Sequence, residues 1–559
     1  VKLQHIFWIG WTLLNVLHAA FSELIHDEAY YWVFSLFPDW GYYDHPPMTA
    51  WWIGLGYALL PNELGLRLLF VLAGTITLYL SWLLCKVPDR HFGLYVAIAT
   101  SIMLVHFGGM LAVPDVALGF FVALYWFLLN RFLEKQTWPI ALALGVAMAG
   151  MGYSKYHGGL VVVLTLLAHP ALLRAAKAWL AVGAALLLFL PHLWWQYTHE
   201  WITFQYHLVE RQGSDPFRWK YLGEYLGGQL GLFGPLIALP LFFQVFRMRP
   251  SNALERAMLY NAAGFLVFFF FMSFKGHPEP NWTSPVLTPV LVLAMRRLVS
   301  RSGSNRWVYW LAAPSLALLL FVRATMVFDF FPSTLFITRQ FHGAQASAMA
   351  IQAKTGGVPL VYSNSYQKPS KYYFYSGVPA ATLNNYGRNR RNQFDYLPLL
   401  ENMRGHEVAF MECPPKDGRF ACDSVLTPNG TVYFKTIRNF QIYPLVRMEP
   451  VAWPVRLAVG EAVDLPVTLY NGHPFDIDYD ACPDFVPNLG IGVSFDKRGG
   501  NPTSSQRMPT RFHRSGETIR DTLHVVMPDK PGKYYLVYGI RYDAELPARN
   551  APPFDIDVY

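Results

Sequence analysis

The sequence predicts a polytopic α-helical membrane protein of about 11 transmembrane helices (range about 11–13), ending in extracytoplasmic α/β and β-sandwich domains. Three observations carry this. Of 559 residues, 53% are apolar and only 15% charged, against roughly 25% charge in soluble domains. Apolar runs long enough to cross a hydrocarbon core recur up to residue 323. The charges are also unevenly spread: Val1–Arg323 holds 21 Lys/Arg and 15 Asp/Glu, while the shorter Ala324–Tyr559 holds 24 and 22. Disorder, a collagen-like fibre and a small disulfide scaffold are excluded. A nucleic-acid binder would gather its basic residues on a soluble face; here most of the net +8 punctuates apolar runs.

In chain order, spans are expected near 3–21, 64–84, 92–107, 111–130, 137–153, 158–173, 178–196, 229–246, 257–274, 284–298 and 307–323. The first lacks a small-residue cleavage site and is expected to be a retained helix. With a cytoplasmic N-terminus, one set of loops collects basic residues such as Arg90, Lys177, Arg249 and Arg297, and its acids are only Asp89, Glu134 and Glu255. That is the positive-inside pattern, and it places the tail outside. The expected domains are 1–323 in the membrane, 324–445 as an α/β unit and 446–559 as a β-sandwich. The last rests on runs such as AVDLPVTLYN and YYLVYGIRY between turn residues. Cys413 and Cys422 flank a short polar loop and could pair in an oxidising compartment. No CxxC or His/Cys zinc spacing occurs.

The external polar residues carry the chemistry. Ser22–Met48 contains His26-Asp27-Glu28 and Asp44-His45-Pro46-Pro47. On the same side lie Asp115, Lys155-Tyr156-His157 and Lys275-Gly276-His277-Pro278-Glu279-Pro280-Asn281-Trp282. Boundary acids and aromatic belts are ordinary features of membrane interfaces, but ionisable groups at membrane depth are costly, and several share one face.

Together these motifs resemble bacterial protein-mannosyltransferase-like enzymes, grouped with aminoarabinose transferases of lipid A and protein O-mannosyltransferases. The resemblance implies the GT-C membrane fold and transfer of a sugar from a polyprenyl-phosphate donor to an external glycan, lipid or protein acceptor. It makes Asp27 the essential first-loop acid, with Glu28 beside it, and Asp115 the second acidic position. Asp44-His45-Pro46-Pro47 stands where aminoarabinose transferases have Glu-Lys-Pro-Pro, whose Lys contacts the lipid phosphate. The His at position 45 supplies less charge than an ammonium when neutral.

The chemistry needs cations or donors where phosphate charge accumulates. Lys155, His45, Lys275, His277, Arg211 and Arg218 are the candidates. A hydroxyl acceptor also needs a base, for which Asp27 is the first choice. Glu28 or Asp115 then positions the acceptor, and a single in-line displacement inverts the anomeric carbon. With a phosphate acceptor Asp27 would only orient groups. Asp44, Tyr156, Glu279 and Asn281 are substrate-positioning candidates. No metal is assigned, although His277 and Glu279 could hold a divalent cation. The partners are the donor lipid, membrane lipids and the acceptor, with no nucleic acid. Two other classes stay open: a lipid-linked sugar transporter or flippase, and an envelope scaffold.

Overall fold

The computed structural model describes residues 3–210, 217–331, 340–385, 391–411, 422–496, 499–542, 550–551 and 553–559. Two compact units emerge, Val1–His342 and Gly343–Tyr559. The first unit is helical: α1 (Leu3–Phe21), α2 (His26–Ser35), α3 (Met48–Leu59), α4 (Glu63–Cys85), α5 (Phe92–Thr100), α6 (Met103–Gly108), α7 (Pro114–Glu134) and α8 (Trp138–Ser154). It continues with α9 (Gly158–Ala168), α10 (Ala176–Thr198), α11 (Ile202–Gln205), α12 (Trp219–Leu232), α13 (Ala238–Phe246), α14 (Ala253–Met272), α15 (Leu287–Ser300) and α16 (Arg306–Val327). Among the described residues, five helices (α4, α7, α10, α14 and α16) are long and apolar enough to span a membrane.

Local signals set the helix ends. Asn62 and Asn252 cap α4 and α14 by accepting from Gly65 and Glu255 backbone N–H groups, each at 3.0 Å. Pro114 opens α7, where its missing N–H costs nothing.

Two expected spans are broken. The 92–107 run divides between α5 and α6 around Ser101–Ile102. The 229–246 run divides between α12 and α13, where Gly234 takes φ +109°; a Cβ there would sit 2.6 Å from Ser101 O. Between the first two expected spans, α2 and α3 form within 22–63. Both are short and rich in aromatic residues, so neither looks like a span.

The apolar core runs through α4, α5, α7, α8, α14 and α15, with Tyr95, Trp126, Phe265 and Val290 fully buried. Its polar lock is Arg296, which donates to Glu255 at 2.5 Å and to Leu84 O and Cys85 O at 2.7 and 3.1 Å. One guanidinium thus ties the start of α14 and the end of α4 to α15. The membrane unit runs past the expected border at 323, because α16 continues to Val327 and Phe341 packs with Met110, Leu111 and Met326.

The second unit begins with a five-stranded sheet in the order β2-β1-β3-β5-β4: β1 Leu360–Ser363, β2 Ala380–Leu383, β3 Val408–Met411, β4 Asp423–Thr427 and β5 Gly430–Ile437. β1 is parallel to β2 and β3, while β5 is antiparallel to β3 and β4. Helix Ala344–Thr355 packs Ala348 and Ile351 onto this sheet. From Val446 the described residues form a five-stranded sheet, a three-stranded sheet and a small two-stranded one pairing Ile477–Asp478 with Phe512–His513. Leu465, Val467 and Leu523 of the three-stranded sheet share a core with Ile491, Leu536 and Ile556 of the five-stranded one. That alternation of inward apolar residues makes a β-sandwich. Cys422 is disulfide-bonded, and Cys85 and Cys482 are free and buried. Cys413, the expected partner of Cys422, lies outside the described residues.

Candidate active site

The site is built where α2, α7 and the ends of α8 and α14 meet short polar loops. Glu28 lies in the first turn of α2, where its Oε2 accepts from Ile25 N at 3.0 Å and caps the helix start. Arg67, on α4, closes a fork on the same carboxylate at 2.7 Å (Nε to Oε1) and 2.6 Å (Nη2 to Oε2). Ala112 N donates to Oε1 at 2.8 Å. The remaining guanidinium hydrogens reach Ala19 O, Ser22 O, Ser22 Oγ and Glu23 O at 2.8–3.0 Å. Both side chains are 0% exposed. Arg67 therefore caps α1 and anchors α2, while Glu28 ties in the segment leading to α7. Asp27, next to Glu28, stays half-buried.

Asp115 sits one residue into α7, after Pro114. Lys155, at the end of α8, donates to both its oxygens at 2.9 and 3.0 Å. Asn281 Nδ2 and Ser284 Oγ, from the 3₁₀ turn Pro280–Val286, donate at 2.8 and 3.0 Å. The Lys155 and Asp115 side chains remain 11% and 12% exposed. Three segments far apart in sequence thus meet on one carboxylate.

Tyr31 lies one turn after Asp27 on α2, so the two share a helix face. Tyr31 Oη is 3.4 Å from His45 Nε2, and His45 Nδ1 is 3.2 Å from Asp44 Oδ1. His207 Nε2 lies 3.1 Å from Asp44 O, and its ring meets that of Tyr156 edge-on at 6.0 Å. The His45 loop is in this way connected to the residue next to Lys155.

The 275–284 stretch divides in two. Asn281 joins Asp115. His277 instead pairs with Glu224 of α12 at 2.9 Å and lies 3.8 Å from Glu279, on an exposed edge. Lys275 is also exposed. Proline explains the split: Pro280 starts the 3₁₀ turn and its carbonyl accepts from Gln229 on α12, so residues on its two sides face different partners. Among the described residues, no group of three or more His, Cys, Asp or Glu gathers as a metal site. Arg211 lies outside the described residues; Arg218 is exposed, over the Tyr221 ring at 6.0 Å. Sequence reading missed Arg67, although a lone arginine inside an apolar run is a recognised signal. It also missed Ser284, which has no such signal.

The chain is similar to known proteins in both sequence and fold. The family model described as dolichyl-phosphate-mannose-protein mannosyltransferase matches residues 44–195, which include Asp44, His45, Asp115, Lys155 and Tyr156. A lipid A galacturonosyltransferase, RgtD of Rhizobium johnstonii, is 28% identical over 267 residues, 44% of this chain and 55% of that protein. The chain thus spans about half the length of that curated relative. An uncharacterised protein of Aquifex aeolicus is 31% identical over 160 residues, 27% of this chain and 32% of that protein. The crystal structure of apo ArnT from Cupriavidus metallidurans superposes with a TM-score of 0.56 at 15% identity, covering 77% of this chain and 97% of that one. ArnT bound to undecaprenyl phosphate gives 0.54 at 14% identity, with the same coverage. The chain therefore has the ArnT-like GT-C fold, as its motifs implied.

Proposed function

We propose that this chain is a membrane glycosyltransferase that moves a sugar from a polyprenyl-phosphate carrier to an acceptor on the external side of a bacterial cytoplasmic membrane. The observation that carries the reading is the meeting of Lys155, Asn281 and Ser284 on Asp115 at 2.8–3.0 Å. The named relatives, RgtD and ArnT, and the matched mannosyltransferase family support the class of reaction.

The chemistry follows from the groups present. Lys155 has three N–H donors, and Asp115 takes two. The third is available to the phosphate oxygen that gains charge as the glycosidic C–O bond breaks. His45 is the second donor candidate, held by Asp44 and Tyr31. Asp27 takes the proton of an acceptor hydroxyl as its oxygen attacks the anomeric carbon from the face opposite the phosphate, so configuration inverts. Glu28 is unsuited to that role, since both its oxygens already accept from Arg67 and from backbone. Tyr156 and Asn281 hold the walls of the site, and the tail lies on the external side.

The test is to reconstitute the protein, supply a panel of polyprenyl-phosphate sugars, and follow candidate acceptors by mass spectrometry. One donor should be consumed, and Asp27→Asn should abolish the transfer without altering the thermal midpoint. Normal turnover by a well-folded Asp27→Asn protein would remove Asp27 as the base. Solute movement without a new glycosidic bond would favour a transporter instead.

A further inference from the structure

Gln196 lies fully buried in the last turns of α10, one turn after His192. His192 Nδ1 is 2.6 Å from Trp40 O. A carbonyl only accepts, so Nδ1 carries the proton, and in the neutral ring Nε2 is an acceptor. Tyr156 Oη, 2.9 Å from Nε2, is then the donor. That hydroxyl in turn accepts from Gln196 Nε2 at 3.1 Å. The same amide nitrogen donates to Thr203 Oγ1 at 2.6 Å, and Thr203 donates to Tyr42 O at 2.8 Å. Two chains of hydrogen bonds thus leave one amide and end on the Trp40 and Tyr42 carbonyls.

Gly41, between those carbonyls, is seated against Trp195, where a Cβ would lie 2.4 Å from the indole. The direction of the network is forced. With the Gln196 amide reversed, its oxygen would face the Tyr156 and Thr203 oxygens, whose hydrogens are already committed to His192 and Tyr42 O. The segment held this way runs directly into Asp44 and His45, and the His192 ring that holds Trp40 O is itself held by Tyr156, next to Lys155.

We propose that Gln196 is a positioning residue that sets the Asp44–His45 loop against Lys155–Tyr156 through its two amide hydrogens. The kinetic part of this proposal rests on the sugar-transfer reading; the structural part does not. Gln196→Glu keeps length and volume but removes both donors, and Thr203→Val removes one branch while keeping shape. Hydrogen exchange on the full-length protein in nanodiscs should show the amides of Trp40–His45 exchanging about ten-fold faster in Gln196→Glu and about three-fold faster in Thr203→Val. The rest of the membrane unit should be unchanged. In the transfer assay, KM for the donor lipid should rise by similar factors while kcat stays within about two-fold. Unchanged exchange at 40–45 in both variants, or an equal rise throughout the membrane unit, overturns the proposal. If Gln196→Glu does not fold, Thr203→Val decides it. If the wild-type protein transfers no sugar, the functional reading fails while the exchange data still decide the role of Gln196.

Discussion

Glu28 and Asp115 look alike in sequence: each is an acid at a helix start, and each meets one buried cation. Their surroundings differ. Glu28 accepts from Arg67 and from two backbone N–H groups, with both side chains of the pair 0% exposed. Among the described residues Asp115 accepts from the side chains of Lys155, Asn281 and Ser284, and its pair is 11–12% exposed. A saturated, enclosed pair is a structural joint, because any change leaves a charge without a partner. A pair built from side chains at the edge of solvent can share its donors with a ligand. Two acids at the starts of different helices, α2 and α7, are thus distinguished by what donates to them.

The comparison is broken most decisively at Asp115. Asp115→Asn should lower sugar transfer by about 10²–10⁴-fold while thermal unfolding stays near wild type, and Lys155→Met should do the same. Unfolding of either variant in step with its loss of activity would make this pair structural as well.

The reverse outcome is expected at the other pair. Glu28→Gln or Arg67→Met should destabilise the membrane unit by about 3–5 kcal/mol, seen as lost folded yield and a lower thermal midpoint. The double variant should cost less than the sum of the two, because neither charge is left unpaired. Full stability with lost activity would move Glu28 to the chemical side.

The smallest effect marks the solvent limit. In the tail, Arg511 forks onto Asp478 at 3.0 and 3.1 Å with its side chain 58% exposed. The bond holds the Asp478 carboxyl below its ordinary range. Arg511→Ala should leave the thermal midpoint of the tail nearly unchanged, because exposed ion pairs are screened by solvent. The pair's contribution is present above the ordinary aspartate range and disappears as pH falls through the depressed value. A calorimetric pH series on wild type and variant checks the sign.

Much of this was legible in advance. Apolar runs located α1, α4, α7, α8, α10, α14 and α16, and two of the motif acids, Glu28 and Asp115, each meet a cation in the structure. Within 22–63, α2 and α3 were not legible as helices, because they are short and carry Asp, Trp and Tyr that read equally well as an interface belt. The 275–282 motif was taken as one unit, whereas Pro280 turns Asn281 towards Asp115 and leaves His277 on Glu224. Arg67 was legible in principle, as a lone charge in an apolar run, but nothing in its neighbourhood names Glu28.

The sequence by itself determined the membrane class and the set of acids worth suspecting. These are written locally, in hydropathy and in short motifs. The tertiary structure alone decided which acid is enclosed with backbone donors and which is held by side chains at the edge of solvent. Arg67 meets Glu28 across 39 positions, Lys155 meets Asp115 across 40, and Asn281 reaches it across 166. How a carboxylate is held depends on which donors the fold brings to it and on how far the pair stays exposed. No local pattern records either.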